Sequence, residues 1–256
     1  MDWRKRKAEV REILLSKPFT SLEELEAKFP DVSSMTLRRD IEYFEEKGEV
    51  IKVRGGARAM SFITMTLEEN YYHRALSNPE GKERIATQAI KFIETGRSLF
   101  FDSGSTIGRI VPHLPSARLT ISTSDPNIAL ALVKNDKVIV NIIGGNLNRS
   151  NLSLSGNMAQ KFVESTNLDV AFISPSGFSV DCGCSSGNFN EAALKNAVVT
   201  KAHKVVVLVQ SDKFNKSMPH TFAALSDIDV LITDKDPGEE IRQALKEANV
   251  ELFVAE

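Results

Sequence analysis

Val32 to Ala57, VSSMTLRRDIEYFEEKGEVIKVRGGA, decides how the N-terminal part of this chain folds. Ser33-Ser34 can cap a helix that runs to about Lys47, where Gly48 stops it. Val50 to Arg54, then Gly55-Gly56, then Ala57-Arg58-Ala59 has the strand–turn–strand pattern of a hairpin. On a helical wheel Leu37, Ile41 and Phe44 form one apolar stripe, and Arg39 points almost directly away from it. The N-terminal half of the exposed face therefore presents Ser34, Met35, Thr36, Arg38 and Arg39, a set suited to phosphates and base edges. Glu42, Glu45 and Glu46 fill the C-terminal half, which phosphates would repel. A helix polarised in this way can enter a DNA major groove by its N-terminal end, while Lys52, Arg54 and Arg58 grip backbone phosphate from the hairpin. The less specific alternative is a helix-packing module whose arginines pair with nearby acids, Asp40 and Glu42 among them.

Upstream, residues 2–16 carry Val10, Ile13 and Leu14 at helical spacing. Thr20 with Glu23 and Ser21 with Glu24 each match a capping box for a second helix, lined by Leu22, Leu25 and Phe29 and broken at Pro30-Asp31. Three helices and a hairpin make a winged helix-turn-helix of residues 1–58. Residues 59–75 read as a connector, with a helix around Leu67 to Ala75 ending near Asn78-Pro79. From residue 76 to 256 apolar strands alternate with helices: strands near Ser98–Phe101, Leu119–Ser122, Lys137–Ile143, Asp169–Ser174, Lys204–Val209, Val230–Thr233 and Glu251–Val254. That alternation predicts an α/β domain whose mostly parallel sheet is covered on both faces.

Composition narrows the function classes. Hydrophobic residues are 42% and charged residues 26%, an ordinary globular balance that argues against disorder. The longest apolar runs are far too short to span a bilayer, and the charged start MDWRKRKAEVREILL lacks a signal-peptide core. Cys182 and Cys184 are the two cysteines, poorly spaced for a disulfide and without zinc-type partners. These features predict a cytoplasmic protein with two free thiols, no metal, no cofactor and no membrane association. The net charge is −2, and residues 1–60 hold 13 basic against 12 acidic residues. Any DNA argument therefore rests on where the charges lie.

In the α/β part, Phe100-Phe101-Asp102-Ser103-Gly104-Ser105-Thr106 is a strand running into a Gly/Ser turn at a helix start. Helix-start amides with small hydroxylated residues can cradle an anion. Neither a Walker loop nor a dinucleotide fingerprint is present, and turn and cap chemistry alone would also explain the Asp, Ser and Gly. Similar turns follow neighbouring strands: Thr123-Ser124-Asp125, Gly144-Gly145-Asn146 and Ser174 to Gly177, including Ser176. Loops at the carboxyl ends of neighbouring parallel strands converge on one crevice.

Val32-Ser33-Ser34-Met35-Thr36-Leu37-Arg38-Arg39-Asp40-Ile41, followed by Gly48 and Arg54-Gly55-Gly56-Ala57, closely resembles the signature of the DeoR family of bacterial transcriptional repressors. Arg54 stands where that family typically has histidine. The resemblance continues through Tyr71 to Arg74, Lys82, Ile85 and Ala86, and covers nearly the whole chain. It implies a sensor domain similar to ribose-5-phosphate isomerase and CoA-transferase-like proteins, and Asp102 to Thr106 looks like that domain's phosphate loop. The implied ligand is a phosphorylated sugar or related metabolite. Asp212-Lys213-Phe214 resembles the family's S-K-F segment, which makes Lys213 the candidate cation, and Glu191 matches the acid at the start of the following helix. Gln210 and Asp212 depart from the family's aspartate and serine, and Ile173 to Gly177 from its glycine-rich form.

The resulting expectation is a repressor of a sugar-metabolism operon that binds double-stranded operator DNA as a homodimer or homotetramer. One small winged helix contacts too few phosphates to act alone. The candidate effector residues are Asp102, Ser103, Gly104, Ser105, Thr106, Thr123, Ser124, Gly145, Ser176, Glu191 and Lys213. Two rival readings are a sugar-phosphate isomerase with a fused winged helix and a protein-binding adaptor. Isomerase chemistry needs paired acids and a lysine, and Asp181 stands largely alone. Gly183-Cys184-Ser185-Ser186-Gly187 matches a nucleophile elbow in form, but it lacks the preceding buried strand. His73 and His113 read as a connector contact and a helix-end cation.

Overall fold

The computed structural model describes residues 3–17, 19–59 and 71–255. The chain divides into two compact units, Met1–Leu67 and Glu68–Glu256. Residues 60–70 of the connector lie outside the described residues, so the helix expected around Leu67 to Ala75 is described only from Tyr71 onward.

In the first unit α1 (Trp3–Leu15), α2 (Leu22–Lys28) and α3 (Ser34–Glu46) enclose a core of Val10, Leu14, Leu25, Phe29, Leu37, Ile41 and Phe44. Ser33 caps α3, its hydroxyl accepting from the Thr36 amide, and Gly48 leaves the helix at φ 71°. The wing is β2 (Val50–Val53) and β3 (Gly56–Ala59). A third strand, β1 (Phe19–Ser21), pairs antiparallel with β3. This strand corrects the capping assignment. Thr20 lies buried within β1 with its hydroxyl toward the Ile13 carbonyl, so Ser21 alone caps α2 by accepting from the Glu24 amide. Three residues are too few for a periodic signal, which is why β1 escapes a sequence reading.

The two wing glycines do different jobs. Gly55 turns the hairpin at φ 86°. Gly56 lets β1 approach, since a Cβ there would sit 2.1 Å from the Thr20 carbonyl oxygen. Across the core, Arg6 Nε donates to Asp40 Oδ2 at 2.8 Å, tying α1 to the otherwise apolar side of α3. Asp40 is thus committed to Arg6.

The second unit is built on a seven-stranded parallel sheet: β4 (Ser98–Phe101), β5 (Leu119–Thr123), β6 (Val138–Ile142), β9 (Leu168–Ile173), β12 (Ala202–Val209), β14 (Val230–Thr233) and β15 (Glu251–Val254). Its spatial order is β15-β14-β12-β9-β4-β5-β6. Alternate residues of each strand feed two cores. Phe100, Ala171, Ile173, Val207 and Leu231 face one side, and Leu99, Phe101, Val170, Phe172, Val206 and Ile232 face the other. The entering helix α4 (Tyr71–Leu76) leads to α5 (Pro79–Ala89). With α6 (Ser105–Gly108) and α7 (Pro126–Leu132), α5 covers the second face; α8 (Asn157–Glu164), α9 (Phe189–Lys201) and α10 (Glu239–Glu247) cover the first. Short antiparallel pieces missed by the alternation argument decorate the sheet: β7 (Asn146–Asn148) with β8 (Ser153–Ser155), and β10 (Gly177–Ser179) with β11 (Gly183–Ser186) and β13 (His220–Ala223).

The chain winds outward from β4 through β5 to β6, then returns to β9 on the other flank of β4 and winds outward again. The strand order therefore reverses between β4 and β9, and a crevice opens at their carboxyl ends. Among the described residues no helix is long and apolar enough to cross a membrane.

Gly56→Ala is expected to destabilise the first unit by about 1–3 kcal/mol through the forced separation of β1 and β3. Gly48→Ala meets only the smaller cost of a positive φ. Urea unfolding of the two variants checks the order.

Candidate functional site

In the first unit α3 has its apolar stripe inside and Ser34, Met35, Arg38 and Arg39 exposed. Thr36 is half-buried, its hydroxyl 2.9 Å from that of Ser33. The acids that could have neutralised the arginines are occupied elsewhere: Asp40 by Arg6 and Glu42 by Lys52. Arg38 and Arg39 form no salt bridge among the described residues. The Lys52 pair pulls the Glu42 carboxyl below its usual range. The Lys52 amide also donates to Glu45 Oε1 at 2.8 Å, so the wing is stitched to the acidic back of α3. Arg54 and Arg58 are exposed on the wing. The arrangement leaves an exposed positive front on α3 and its acids turned to local work.

In the second unit a small cleft opens at the strand-order reversal. Its walls are Arg74 and Ser77 from the end of α4, Gly104, Ser105 and Thr106 after β4, Ser174 and Pro175 after β9, and Gln210, Asp212 and Lys213 after β12. Four of the candidate effector residues meet here: Gly104, Ser105, Thr106 and Lys213. α6 is a single turn, shorter than its sequence suggests, and the Gly104 amide donates to Asp125 Oδ2 at 3.2 Å. Ser105 and Thr106 are the hydroxyl-bearing residues of this turn that line the cleft. Lys213 pairs with Asp212 at 2.9 Å and keeps 19% of its side chain exposed.

The remaining candidates stand behind the cleft. Thr123 accepts the Asp125 amide, and Asp125 caps α7 through the amides of Asn127 and Ile128. Burial pushes the Asp125 carboxyl above the usual range, against the pull of those amides. Ser103 and Ser124 are buried, and the Ser124 carbonyl accepts from Leu154. Gly145 serves packing, since a Cβ there would lie 2.4 Å from the Ser155 carbonyl oxygen. The Ser176 amide donates to the Ser185 carbonyl.

Asp102 and Glu191 belong to a buried network that sequence reasoning missed at its centre. Lys195 Nζ lies 2.8 Å from Asp102 Oδ2 and 3.4 Å from Glu191 Oε1, and donates to the Ser174 carbonyl at 2.7 Å. The Ser174 amide donates back to Asp102, and Asn151 Nδ2 donates to Glu191 at 2.6 Å. Both Lys195 and Asp102 side chains are 2% exposed. The available signal was the i, i+4 spacing of Glu191 and Lys195 on one helix. Two carboxylates and a carbonyl surround the lysine ammonium. It pins the loops after β4 and β9 to α9.

The elbow-like run is a strand: Ser185 lies in β11, donating to the Gly177 carbonyl and accepting the Met218 amide. Burial raises the Cys184 thiol to about 12. His113 pairs with Glu83 at the end of a short 3-10 turn, and the His73 side chain lies outside the described residues. Among the described residues no cluster of three or more His, Cys, Asp or Glu could hold a metal ion.

Family models match both units: a DeoR-like helix-turn-helix domain over residues 6–62 and a DeoR C-terminal sensor domain over residues 77–235. The HTH-type transcriptional regulator GlpR of Haloferax volcanii is 32% identical over 85% of this chain and 85% of its own length. The HTH-type transcriptional regulator IolR of Bacillus subtilis is 32% identical over 96% and 97%. Ribose 5-phosphate isomerase A of Methanocaldococcus jannaschii is a structural neighbour at 16% identity, covering 54% of this chain and 55% of that one, with a TM-score of 0.40.

Lys195→Met is expected to cost about 3–5 kcal/mol, because it removes the cation that Asp102 and Glu191 share in a buried position. Chemical denaturation followed in the second unit measures it; a loss under about 1 kcal/mol would show the network to be dispensable.

Proposed function

The chain belongs to the DeoR family of DNA-binding transcriptional regulators, and we propose that it is a cytoplasmic repressor of a sugar-metabolism operon whose effector is a phosphorylated sugar bound in the cleft between β4 and β9. The observation that carries the effector reading is the cleft itself. At the point where strand order reverses, Ser105 and Thr106 form one wall and Lys213 another. Such a site offers the hydroxyls of Ser105 and Thr106 and the Lys213 cation to one anionic group. The names of the relatives GlpR and IolR as HTH-type transcriptional regulators support the regulator part of the reading.

For DNA, the proposal assigns base and phosphate contacts to Ser34, Met35, Thr36, Arg38 and Arg39 on α3, and phosphate contacts to Lys52 and Arg54 on the wing. The support is that Arg38 and Arg39 are exposed while Asp40 and Glu42 are paired with other cations. A single head of this size makes few phosphate contacts, so operator-level affinity calls for a homodimer or homotetramer reading repeated half-sites. The effector then acts by binding the DNA-competent and incompetent states unequally. Moving occupancy from nearly full to nearly empty takes about 10⁴-fold differential affinity.

Arg39→Ala should weaken binding to the promoter DNA of the protein's own gene and lower the slope of log affinity against log salt by about 0.9 per head. Gel retardation across a salt series reads both, and retention equal to wild type would remove α3 from the interface. In a thermal-shift screen, phosphorylated sugars should raise the melting temperature as ln(1 + [L]/Kd), whereas their unphosphorylated forms should not. Lys213→Gln should abolish the shift. An equal response to both sugar forms would refute the phosphate reading.

A further inference from the structure

The cleft is closed on one side by α4, the helix through which the chain enters the second unit. Arg74 and Ser77 of that segment line it directly. Arg74 Nε is shielded from solvent and has no hydrogen-bond partner. A buried donor without an acceptor is rare in native proteins and marks a place where an acceptor belongs. Beneath it, Lys82 is 1% exposed, and its ammonium donates to the carbonyls of Arg74 and Ser77. Lys82 has no salt bridge among the described residues. Burial, then the charge of Arg74, lowers the Lys82 ammonium to about 8. The lining itself holds Arg74 and Lys213 against one carboxylate, Asp212, which pairs with Lys213. The excess of positive charge calls for an anion carrying more than one acceptor.

The two walls also share a frame. Asp234, 3% exposed at the end of β14, accepts from Asn78 Nδ2 at 2.8 Å and from the Ser211 amide at 2.7 Å. Asn78 follows α4, and Ser211 opens the turn that carries Lys213. One carboxylate thus fixes the end of the entering helix to the loop of the candidate cation.

We propose that Arg74 is the second cation of the anion site, that it and Lys213 bridge one phosphate group seated on Ser105 and Thr106, and that α4 is consequently the element that reports occupancy to the DNA-binding unit. This inference rests on the reading of the cleft as the effector site. A phosphate supplies the acceptor for Arg74 Nε, and Arg offers a planar, multi-donor fork for it. The ligand is then bonded to the segment that continues the chain toward the first unit, so its arrival orders that segment directly.

The test uses the full chain, with inorganic phosphate as the probe. Calorimetry gives affinity, and hydrogen exchange reads the amides of residues 71–77. Wild type should bind phosphate and slow exchange in that segment. Arg74→Met should weaken binding by at least about tenfold and abolish the slowing, and Arg74→Lys should retain part of both. Without phosphate, the Arg74→Met protein should melt no lower than wild type, because Nε has no bond to lose. If Arg74→Met binds phosphate as wild type does while Lys213→Gln does not, the cleft reading stands and the role of Arg74 is refuted. If neither substitution alters binding, or wild type does not bind, the cleft reading fails and this inference falls with it. A lowered melting temperature of phosphate-free Arg74→Met would assign the residue a structural part instead. Binding without any change of exchange in 71–77 would refute the reporting role.

Discussion

The pairing of Asp102 with Lys195 is the constraint around which the second unit is arranged. Asp102 directly follows β4 and Ser174 directly follows β9, the two strands between which the winding reverses. Left to themselves, two loops leaving adjacent parallel strands would splay apart. The Asp102 carboxylate instead accepts from the Ser174 amide and from Lys195, while Lys195 also donates to the Ser174 carbonyl. Three groups from β4, β9 and α9 are thereby locked in one hydrogen-bonded knot. Two charges buried this deeply are tolerable only because each has a full set of partners. The position of Ser105, Thr106 and Ser174 around the cleft follows from that knot.

Much of the architecture was legible in the chain. The central strands β9, β12 and β14 are largely apolar runs, because both of their faces are covered, and such runs announce themselves. The apolar stripe Leu37, Ile41, Phe44 predicts which side of α3 is buried, and the core contains all three. What escaped were elements too short to show a period: β1, and the pieces β7, β8, β10, β11 and β13. Those are fixed by register against a neighbour, not by local pattern.

The cleft was partly legible for a related reason. Gly104, Ser105 and Thr106 announce a turn, and Lys213 sits in a segment resembling a known family. Thr123, Ser124 and Gly145 have the same composition but do not line the cleft; Thr123 supports the Asp125 cap and Gly145 packs closely on Ser155, and composition alone does not separate such uses. Lys195 was passed over because a lysine at i+4 from a glutamate ordinarily signals a solvated helix face. Its burial arises from tertiary contacts with strands far away in sequence. Arg74 and Lys82 stand out in the sequence by resemblance only; that Arg74 lines the cleft and Lys82 holds the Arg74 and Ser77 carbonyls required the fold.

The tie between Lys52 and Glu42 has a consequence for how selective the protein can be. Lys52 is the wing's cation nearest the acidic back of α3, and that acid engages it before any phosphate does. In the proposed complex Glu42 is therefore a restraint on indiscriminate adhesion, since phosphate contacts strengthen binding to every sequence alike. Neutralising Glu42 would free a positive charge for the backbone and leave the base-reading residues untouched. The protein would grip DNA harder and know less about which DNA it held.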